Sequence, residues 1–288
     1  MPLSSAYGPN QFGLSFELFP PKTDVGEAAL FRHVERLRKF NPSYITCTYG
    51  AGGSTQSKTL DIVARVRAES GLPVATHLTC VNRTANQLAE YLAEAIDKGV
   101  ENVVALRGDP PQGETKFTVT DGGFRYANEL VTFIRDKFPS MGIAVAGYPE
   151  KHLEAPSMEV DLDNLRRKVD AGADVVITQL FYDNRDFFTF RNRCDTIGIT
   201  VPIVPGILPV TNFAQIQRIT SLCGAKLPEE FVSALESAGD DSDAQFRAGV
   251  EFATRQIQEL IDSGAPGVHL YVLNKSEAAC EVLTELGM

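Results

Sequence analysis

The first group in this chain that could do chemistry is the carboxyl of Glu17, which lies inside the apolar stretch GLSFELFPPKT. Phe16 and Leu18 flank it, and Pro20-Pro21 then ends any regular element. A buried carboxylate without a partner is costly or shifts its pKa. Glu17 therefore either points outward or has a function, and these residues alone leave both interpretations open.

Polar side chains also end most of the other short apolar stretches. They are Thr46, Thr48 and Tyr49; His77 and Thr79; Arg107 and Asp109; Tyr148, Glu150, Lys151 and His152; Thr178 and Gln179; and Tyr271, Asn274 and Lys275. Each set has an ordinary structural explanation, such as a satisfied core histidine at His77 or a salt-bridged turn at Arg107-Gly108-Asp109. Together they suit a site for a polar heterocycle held by an amide and carboxylates, with Glu17 as general acid or base.

Two other patterns have both a functional and a structural interpretation. The loop GAGGST (50–55) could cradle a phosphate at the start of a helix, but it lacks the Lys of a P-loop, and a flexible loop explains it equally well. RRK (166–168) lies on a predicted helix, where a solvated face is the default. The four histidines show no metal-ligand spacing, and no local Ser-His-Asp or Cys-His pair is present, so no metal site is predicted.

The elements that must position these residues alternate between strands and helices. The predicted strands span 13–19, 43–49, 73–79, 101–107, 142–148, 173–181, 201–207 and 267–273. An even division of 288 residues gives about 36 per strand, the length of a βα unit. The pattern predicts a (β/α)8 TIM barrel, with an extra helix before the last strand because 224–265 holds two helical segments. An open doubly wound sheet is the alternative, but no G-x-G-x-x-G follows the first strand.

Helix boundaries are predicted from apolar periodicity and capping residues. One helix is expected over 27–40, a second over 84–99 with Thr84 as N-cap, and a third over 159–173 with Asp161 as cap. In a TIM barrel the chemistry lies at the carboxyl ends of the strands, which is where the polar residues fall.

Composition limits the class of protein. With 43% hydrophobic residues and no linker, residues 1–288 are expected to form a single domain. A net charge of −10 makes nucleic acid and anionic membrane poor partners. The start has no signal-peptide pattern, no stretch approaches the roughly 20 apolar residues of a membrane span, and the five cysteines are scattered. A cytoplasmic protein with free thiols is expected.

Seven motifs in order give a more specific indication. SFELFPPKT, TCTYGAGGS, HLTC, ALRGDPP, AGYPEKH, ITQLFYD and PGILPV together resemble the methylenetetrahydrofolate reductase family, over nearly the whole chain. The resemblance implies a bacterial-type catalytic TIM barrel that reduces 5,10-methylenetetrahydrofolate to 5-methyltetrahydrofolate for one-carbon metabolism and methionine supply. It implies FAD as cofactor, NADH or NADPH as co-substrate and a ping-pong hydride transfer.

The resemblance also implies roles for individual residues. Glu17 matches the general acid that protonates N10 of the folate, with a pKa raised by its apolar setting. Asp109 matches a carboxylate near flavin and pterin that tunes the flavin as a hydride donor. Gln179 and Gln215 match folate contacts, Gln179 also touching the nicotinamide. Lys275 stands where the family usually has Arg. A lysine keeps the positive charge but cannot form the two parallel hydrogen bonds of a guanidinium.

The same resemblance implies a set of FAD contacts. They are Thr48, Tyr49, His77, Arg107, Gly108, Asp109, Tyr126, Ala127, Tyr148, His152, Ala155, Asp161, Asn164, Arg167 and Lys168. The sequence does not decide whether NADH or NADPH is preferred. It also does not decide whether the chain forms a homo-oligomer. The alternatives are a flavin-free barrel lyase or aldolase, for which the sequence offers no Schiff-base lysine or metal set, and a non-catalytic folate or nucleotide carrier.

Overall fold

The computed structural model of this chain describes residues 3–8, 11–49, 56–110, 113–114 and 116–288. The suggested phosphate loop, 50–55, lies outside the described residues. The strands are Gly13–Leu18 (β1), Tyr44–Cys47 (β2), Val74–Thr79 (β3), Asn102–Leu106 (β4), Gly142–Gly147 (β5), Val175–Thr178 (β6), Ile203–Val204 (β7), Gly206–Ile207 (β8) and Gly267–Tyr271 (β9). All neighbouring pairs are parallel.

The sheet closes on itself as the TIM-barrel prediction requires. Its order is β7-β6-β5-β4-β3-β2-β1-β9-β8. The two outermost strands, β7 and β8, are halves of one predicted strand that is interrupted at Pro205, which has no backbone N–H for a ladder. The sheet therefore begins and ends on the same chain segment, and the eight predicted strands are confirmed with the seventh divided in two.

Ten α-helices follow the strands in the described part of the chain. They are Asp24–Leu37 (α1), Gln56–Ser70 (α2), Ala85–Asp97 (α3), Ala127–Lys137 (α4), Met158–Asp170 (α5), Asn184–Thr196 (α6), Phe213–Cys223 (α7), Glu229–Ala238 (α8), Ser242–Asp262 (α9) and Glu277–Glu285 (α10). Three of them, α7 to α9, stand between β8 and β9. Two of these, α8 and α9, are the helical segments predicted within 224–265.

The capping predictions have different outcomes. Thr84 caps α3 as expected, because its hydroxyl accepts from the Gln87 N–H while the Gln87 side chain accepts from the Thr84 N–H. The prediction that Asp161 caps α5 is wrong, since the helix begins earlier and Ser157 accepts from the Val160 N–H. The Asp161 carboxylate is therefore free to accept a hydrogen bond from the backbone N–H of His152, at 2.9 Å.

The amino end of the barrel is closed by a short 3₁₀ helix, Leu3–Tyr7. Its buried side chains pack against the inward residues of the strands, and the Tyr7 hydroxyl lies 2.6 Å from that of Tyr44. A Cβ on Gly13 or Gly267 would lie within 2.8 Å of the Tyr7 ring, so only glycine lets the two strands start here. The amino end is therefore filled, and the barrel is left open at the opposite, carboxyl end.

The larger apolar core lies between the strands and the surrounding helices. Leu18, Leu30 and Val103 are among its fully buried members. This double-sided burial is typical of parallel sheets and fixes the strand ends rigidly. No helix among the described residues is long and apolar enough to cross a membrane.

Candidate active site

Glu17 lies near the carboxyl end of β1, inside the barrel mouth, between two histidines. Its Oε2 is 3.2 Å from Nε2 of His77 on β3 and 3.6 Å from Nε2 of His269 on β9. The Glu17 side chain is 20% exposed, whereas those of His77 and His269 are 8% and 0% exposed. One carboxylate and two buried imidazoles therefore form a compact cluster that opens toward solvent through Glu17.

The pKa of Glu17 differs from the prediction. Burial by itself raises this pKa, but the charge of His77 and the nearby His269 lower it, to about 2. The expected raised pKa of Glu17 is therefore wrong. The sequence shows only the apolar neighbours Phe16 and Leu18, whereas the residues that face the carboxyl come from strands far along the chain.

His269 is absent from the residues that the sequence predicts for the site. A signal was available, because the period-two alternation of GVHLY places His269 and Tyr271 on one face of β9. In the structure Ser15 of β1 is paired in register with His269, and Glu17 with Tyr271. The Tyr271 hydroxyl donates to the carbonyl of Thr178 at 2.8 Å, across the barrel mouth.

A group of basic and aromatic side chains lies at the ends of β4 and β5. Arg107 donates two hydrogen bonds to Glu154, at 2.6 and 2.7 Å, an ion pair that the sequence does not predict. Tyr148 and His152 meet edge to face with ring centres 4.7 Å apart. Lys168 donates to the carbonyl of Ala146 at 2.6 Å, and burial lowers its pKa to about 8 despite the opposing charge of Asp161.

The remaining predicted cofactor residues lie after β2 and β4 and around the starts of α4 and α5. Gly108 and exposed Asp109 follow β4, and Tyr126 and Ala127 begin α4. Ala155 lies in the loop before α5. Thr48 and Tyr49 follow β2, and the Tyr49 hydroxyl donates to Thr79 Oγ1 at 2.9 Å.

Two predicted contacts on α5 point away from this group. Arg167 is 62% exposed and pairs with Asp163 at 2.7 Å on the same helix. Asn164 is also exposed. Of the RRK segment only Lys168 faces inward, and a role for Asn164 and Arg167 stays a prediction.

The predicted substrate residues line two clefts beside the mouth. Gln215 and Lys275 line one cleft of about 440 Å³, together with apolar side chains including Leu208 and Ile216. Gln179 lines a second of about 200 Å³ with Tyr148 and Glu150. Burial raises the pKa of Glu150 to about 7, although this carboxylate accepts from the Lys226 N–H.

Asn274 links the cleft lined by Gln215 and Lys275 to the strand that carries Glu17. Its side-chain amide donates to the carbonyl of Phe19, and its Oδ1 accepts from the Phe19 N–H at 2.8 Å. Asn274 has a left-handed backbone, φ 57°, which Asn tolerates better than most residues. The turn that presents Lys275 is thus fixed to the end of β1.

Comparison with known proteins identifies the family of this chain. The family model described as Methylenetetrahydrofolate reductase matches residues 4–287. The 5,10-methylenetetrahydrofolate reductase of Escherichia coli (strain K12) is 36% identical over 278 residues, which cover 96% of this chain and 92% of that protein. Methylenetetrahydrofolate reductase (NADH) 1 of Arabidopsis thaliana is 42% identical over 288 residues, but the chain spans only 49% of its length.

A solved structure shares the barrel at low sequence identity. It is that of an uncharacterized protein from Clostridium thermocellum that binds two copies of 5-methyl-5,6,7,8-tetrahydrofolic acid. The TM-score is 0.62 at 12% identity, covering 94% of this chain and 93% of that one. At this identity the likeness shows the fold alone.

Proposed function

Because the chain belongs to the methylenetetrahydrofolate reductase family, we propose that it reduces 5,10-methylenetetrahydrofolate to 5-methyltetrahydrofolate. The reductant is NADH or NADPH, the cofactor is FAD, and the two substrates use one site in turn. The observation that carries the proposal is the Glu17 carboxylate between two imidazoles, beside a cleft with an amide and a cation, Gln215 and Lys275. The name of the Arabidopsis relative specifies NADH, which makes NADH the first nucleotide to assay.

The side chains at the ends of β4 and β5 fit FAD by their chemistry. A guanidinium that already binds a carboxylate through two parallel hydrogen bonds, Arg107, is suited to a phosphate of the cofactor. Lys168 adds a second nearby cation, and Tyr148 and His152 offer aromatic surface for a ring system. Held by these residues, FAD would supply the chemistry of hydride transfer between the nicotinamide and the folate.

The chain's own residues hold the substrate and move the proton. Glu17 is placed to deliver a proton to N10 of the folate, which opens the methylene bridge and leaves a reactive carbon on N5. Gln179 offers one amide to the pterin and to the nicotinamide, which explains how a single site serves both. Gln215 and Lys275 hold the rest of the folate, and Asp109 keeps a negative charge near the flavin.

A flavin assay combined with the two half-reactions tests this function. Purified protein is expected to be yellow, or to become yellow with added FAD, and to show parallel double-reciprocal lines for the two substrates. Protein that stays colourless with FAD would favour a flavin-free barrel enzyme or a carrier. Intersecting lines would contradict one site used in turn.

Substitutions of Lys275 test the folate cleft. Lys275→Met is expected to raise KM for methylenetetrahydrofolate roughly tenfold, because a charge-assisted contact to a substrate carboxylate is lost. Lys275→Arg is expected to lower KM, because a guanidinium binds a carboxylate with two hydrogen bonds. NADH oxidation with an artificial acceptor is the control, and an equal change in both reactions would contradict the assignment.

Replacement of Glu154 by Gln tests the anion site. The Glu154 carboxylate pairs with the Arg107 guanidinium and would compete with a phosphate for it. The neutral variant is therefore expected to bind FAD about two- to fivefold more tightly, a small effect because the ion pair is partly exposed to solvent. Titration of the protein with FAD by fluorescence quenching measures this. The matched control is Glu159→Gln, an exposed carboxylate in the first turn of α5 that bonds Ser157 instead. If Glu154→Gln binds FAD no more tightly than the parent, the assignment of Arg107 as a phosphate ligand is contradicted.

A further inference from the structure

The turn that presents Lys275 is held from a second side by a histidine that the proposed function does not use. His33 lies on α1, with its side chain 17% exposed, and faces the start of α10. Its Nδ1 atom is 2.9 Å from Ser276 Oγ and 3.3 Å from the Ser276 backbone nitrogen. The imidazole therefore joins residues that are 243 positions apart in the chain, directly beside Lys275.

This turn needs outside support because its backbone is unfavourable. Leu273 and Asn274 are consecutive residues with left-handed φ angles, 46° and 57°, which residues other than glycine rarely adopt. Such a conformation persists only where the surrounding structure imposes it. Asn274 supplies one restraint through the backbone of Phe19, and His33 supplies another through Ser276.

The contact with Ser276 determines the protonation state of His33. The backbone N–H of Ser276 cannot turn away as a hydroxyl can, so Nδ1 must be a bare acceptor and the neutral ring carries its proton on Nε2. A doubly protonated ring has no acceptor and would direct an N–H at the N–H of Ser276. A positive charge is also disfavoured at the start of a helix, and Ser276 is the N-cap of α10. The neutral ring therefore holds this turn, and the charged ring does not.

The groups around His33 favour the neutral ring at neutral pH. Burial lowers the pKa of His33 from its ordinary value of 6.5, while Glu277 of α10 opposes that shift. Arg36 and Arg32 of α1 add to the lowering. Glu277 is 3.8 Å from Nδ1 but also pairs with Arg36 at 2.8 Å, which offsets its charge. Cys280 of α10 stays neutral, because burial raises the pKa of its thiol.

We propose that His33 is a positioning residue that holds Lys275 within reach of the folate, and that protonation of His33 releases this hold. The inference rests on the proposed function, in which Lys275 lines the folate cleft and binds a carboxylate of the substrate. His33 acts through Ser276 and the turn, not by contact with the substrate. Affinity for the folate is therefore expected to fall in mildly acidic solution, while reduction by NADH is unaffected.

His33→Leu and His33→Asn are a matched pair of variants that tests the inference. Leucine removes the acceptor, whereas the asparagine Oδ1 can take the place of Nδ1 and does not titrate. At about pH 7.5, His33→Leu is expected to raise KM for methylenetetrahydrofolate about three- to tenfold, because an accepted hydrogen bond is lost. His33→Asn should stay within about twofold of the parent. The control is Glu35→Gln, an exposed carboxylate on α1 that pairs with Arg38, and it should leave KM unchanged.

The pH profile of KM gives a readout that a merely structural role would not move. As the pH falls below 6.5, KM of the parent should rise toward that of His33→Leu, and this rise should be absent from both His33 variants. Glu277→Gln should move the rise to lower pH, because the Glu277 carboxylate opposes the lowering of the His33 pKa. A rise that persists in His33→Asn would assign the titration to another group and overturn the inference.

A double-mutant cycle with Lys275→Met tests whether His33 acts through Lys275. If it does, His33→Leu should change KM by less than about twofold in the Lys275→Met background, since the contact to be positioned is already missing. Effects that multiply would show that His33 acts elsewhere and would overturn the inference alone. If Lys275→Met by itself leaves KM for the folate unchanged, the role of Lys275 in the proposed function is wrong and the inference falls with it, which is a distinguishable failure.

Hydrogen–deuterium exchange gives a readout independent of activity. The backbone amides of residues 272–277 are expected to exchange at least about threefold faster in His33→Leu than in the parent, and at the parent's rate in His33→Asn. Unchanged exchange in His33→Leu would show that the turn is held without His33 and would overturn the inference. Should His33→Leu fail to fold, His33→Asn still decides the matter, because the loss of the rise in KM at acid pH depends on titration alone.

Discussion

Glu17→Gln is expected to slow the reduction of methylenetetrahydrofolate by about 10²- to 10⁴-fold, the usual contribution of a general acid. Glutamine nearly matches the shape of the side chain but has no proton to give to N10. Hydride transfer from NADH requires no such proton, so NADH oxidation with an artificial acceptor should stay within a few-fold of the parent. Anaerobic rapid mixing of each half-reaction measures the two effects separately.

The control for this variant is Glu94→Gln, an exposed carboxylate on α3 that pairs with Lys98. It should leave both half-reactions unchanged. Equal losses in the two half-reactions of Glu17→Gln would show damage to the cofactor site instead of loss of an acid. Full retention of folate reduction would end the assignment of Glu17 as acid.

The same variant should change how stability depends on pH. The pKa of Glu17 is lowered in the folded state from 4.5 to about 2, so its ionised form contributes stability above the unfolded-state value. That contribution is lost as the pH falls from about 4.5 through about 2. Thermal unfolding of the parent should therefore decline more steeply with acid than that of Glu17→Gln, and parallel declines would contradict the lowered pKa.

Gly249→Ala is expected to lower the free energy of unfolding by about 1–3 kcal/mol. Gly249 lies in α9, where an added Cβ would stand 1.8 Å from the carbonyl oxygen of Val210. The Cβ position is fixed by the helix backbone and the carbonyl is part of the loop backbone, so the helix or the loop must move. Alanine favours a helix over glycine by only about 1 kcal/mol, so the clash prevails.

The displacement should also reach the cleft proposed to hold the folate, because Val210 and Leu208 both line it. Chemical denaturation gives the loss in stability, and KM for methylenetetrahydrofolate gives the effect on the cleft. The matched control is Arg255→Ala on the exposed side of α9, which should change stability by less than about 0.5 kcal/mol. A Gly249→Ala variant as stable as the parent would show that α9 and this loop can separate without cost.

The barrel was predictable from the chain because parallel strands buried on both faces give apolar stretches such as ENVVALR and ADVVITQLF. Strand seven was predicted as one element, and its division reflects a single missing N–H at Pro205. The start of α5 was placed too late, because Asp161 and Ser157 are both good caps and only the fold decides between them.

The site was predictable where it depends on strand ends, as at Glu17, and not where it depends on long-range neighbours. The pKa of Glu17 depends on His269, which is far away in sequence. The pairing of Arg107 with Glu154 and that of His269 with Ser15 also join distant parts of the chain. A local pattern identifies a carboxyl in an apolar setting, but the direction of its pKa shift depends on which side chains the closed barrel brings to it.

The pairing of β1 with β9 sets the order in which the site can be completed. Ser15 and His269 are 254 positions apart, so the ribosome makes the first strand of the barrel long before the strand that closes it. Until β9 emerges, β1 has an unpaired edge and Glu17 has no His269 beside it. Contacts so distant form late and slowly in folding. The nascent chain therefore carries Glu17 long before His269, and the cluster of one carboxylate and two imidazoles is complete only after β9 has been made.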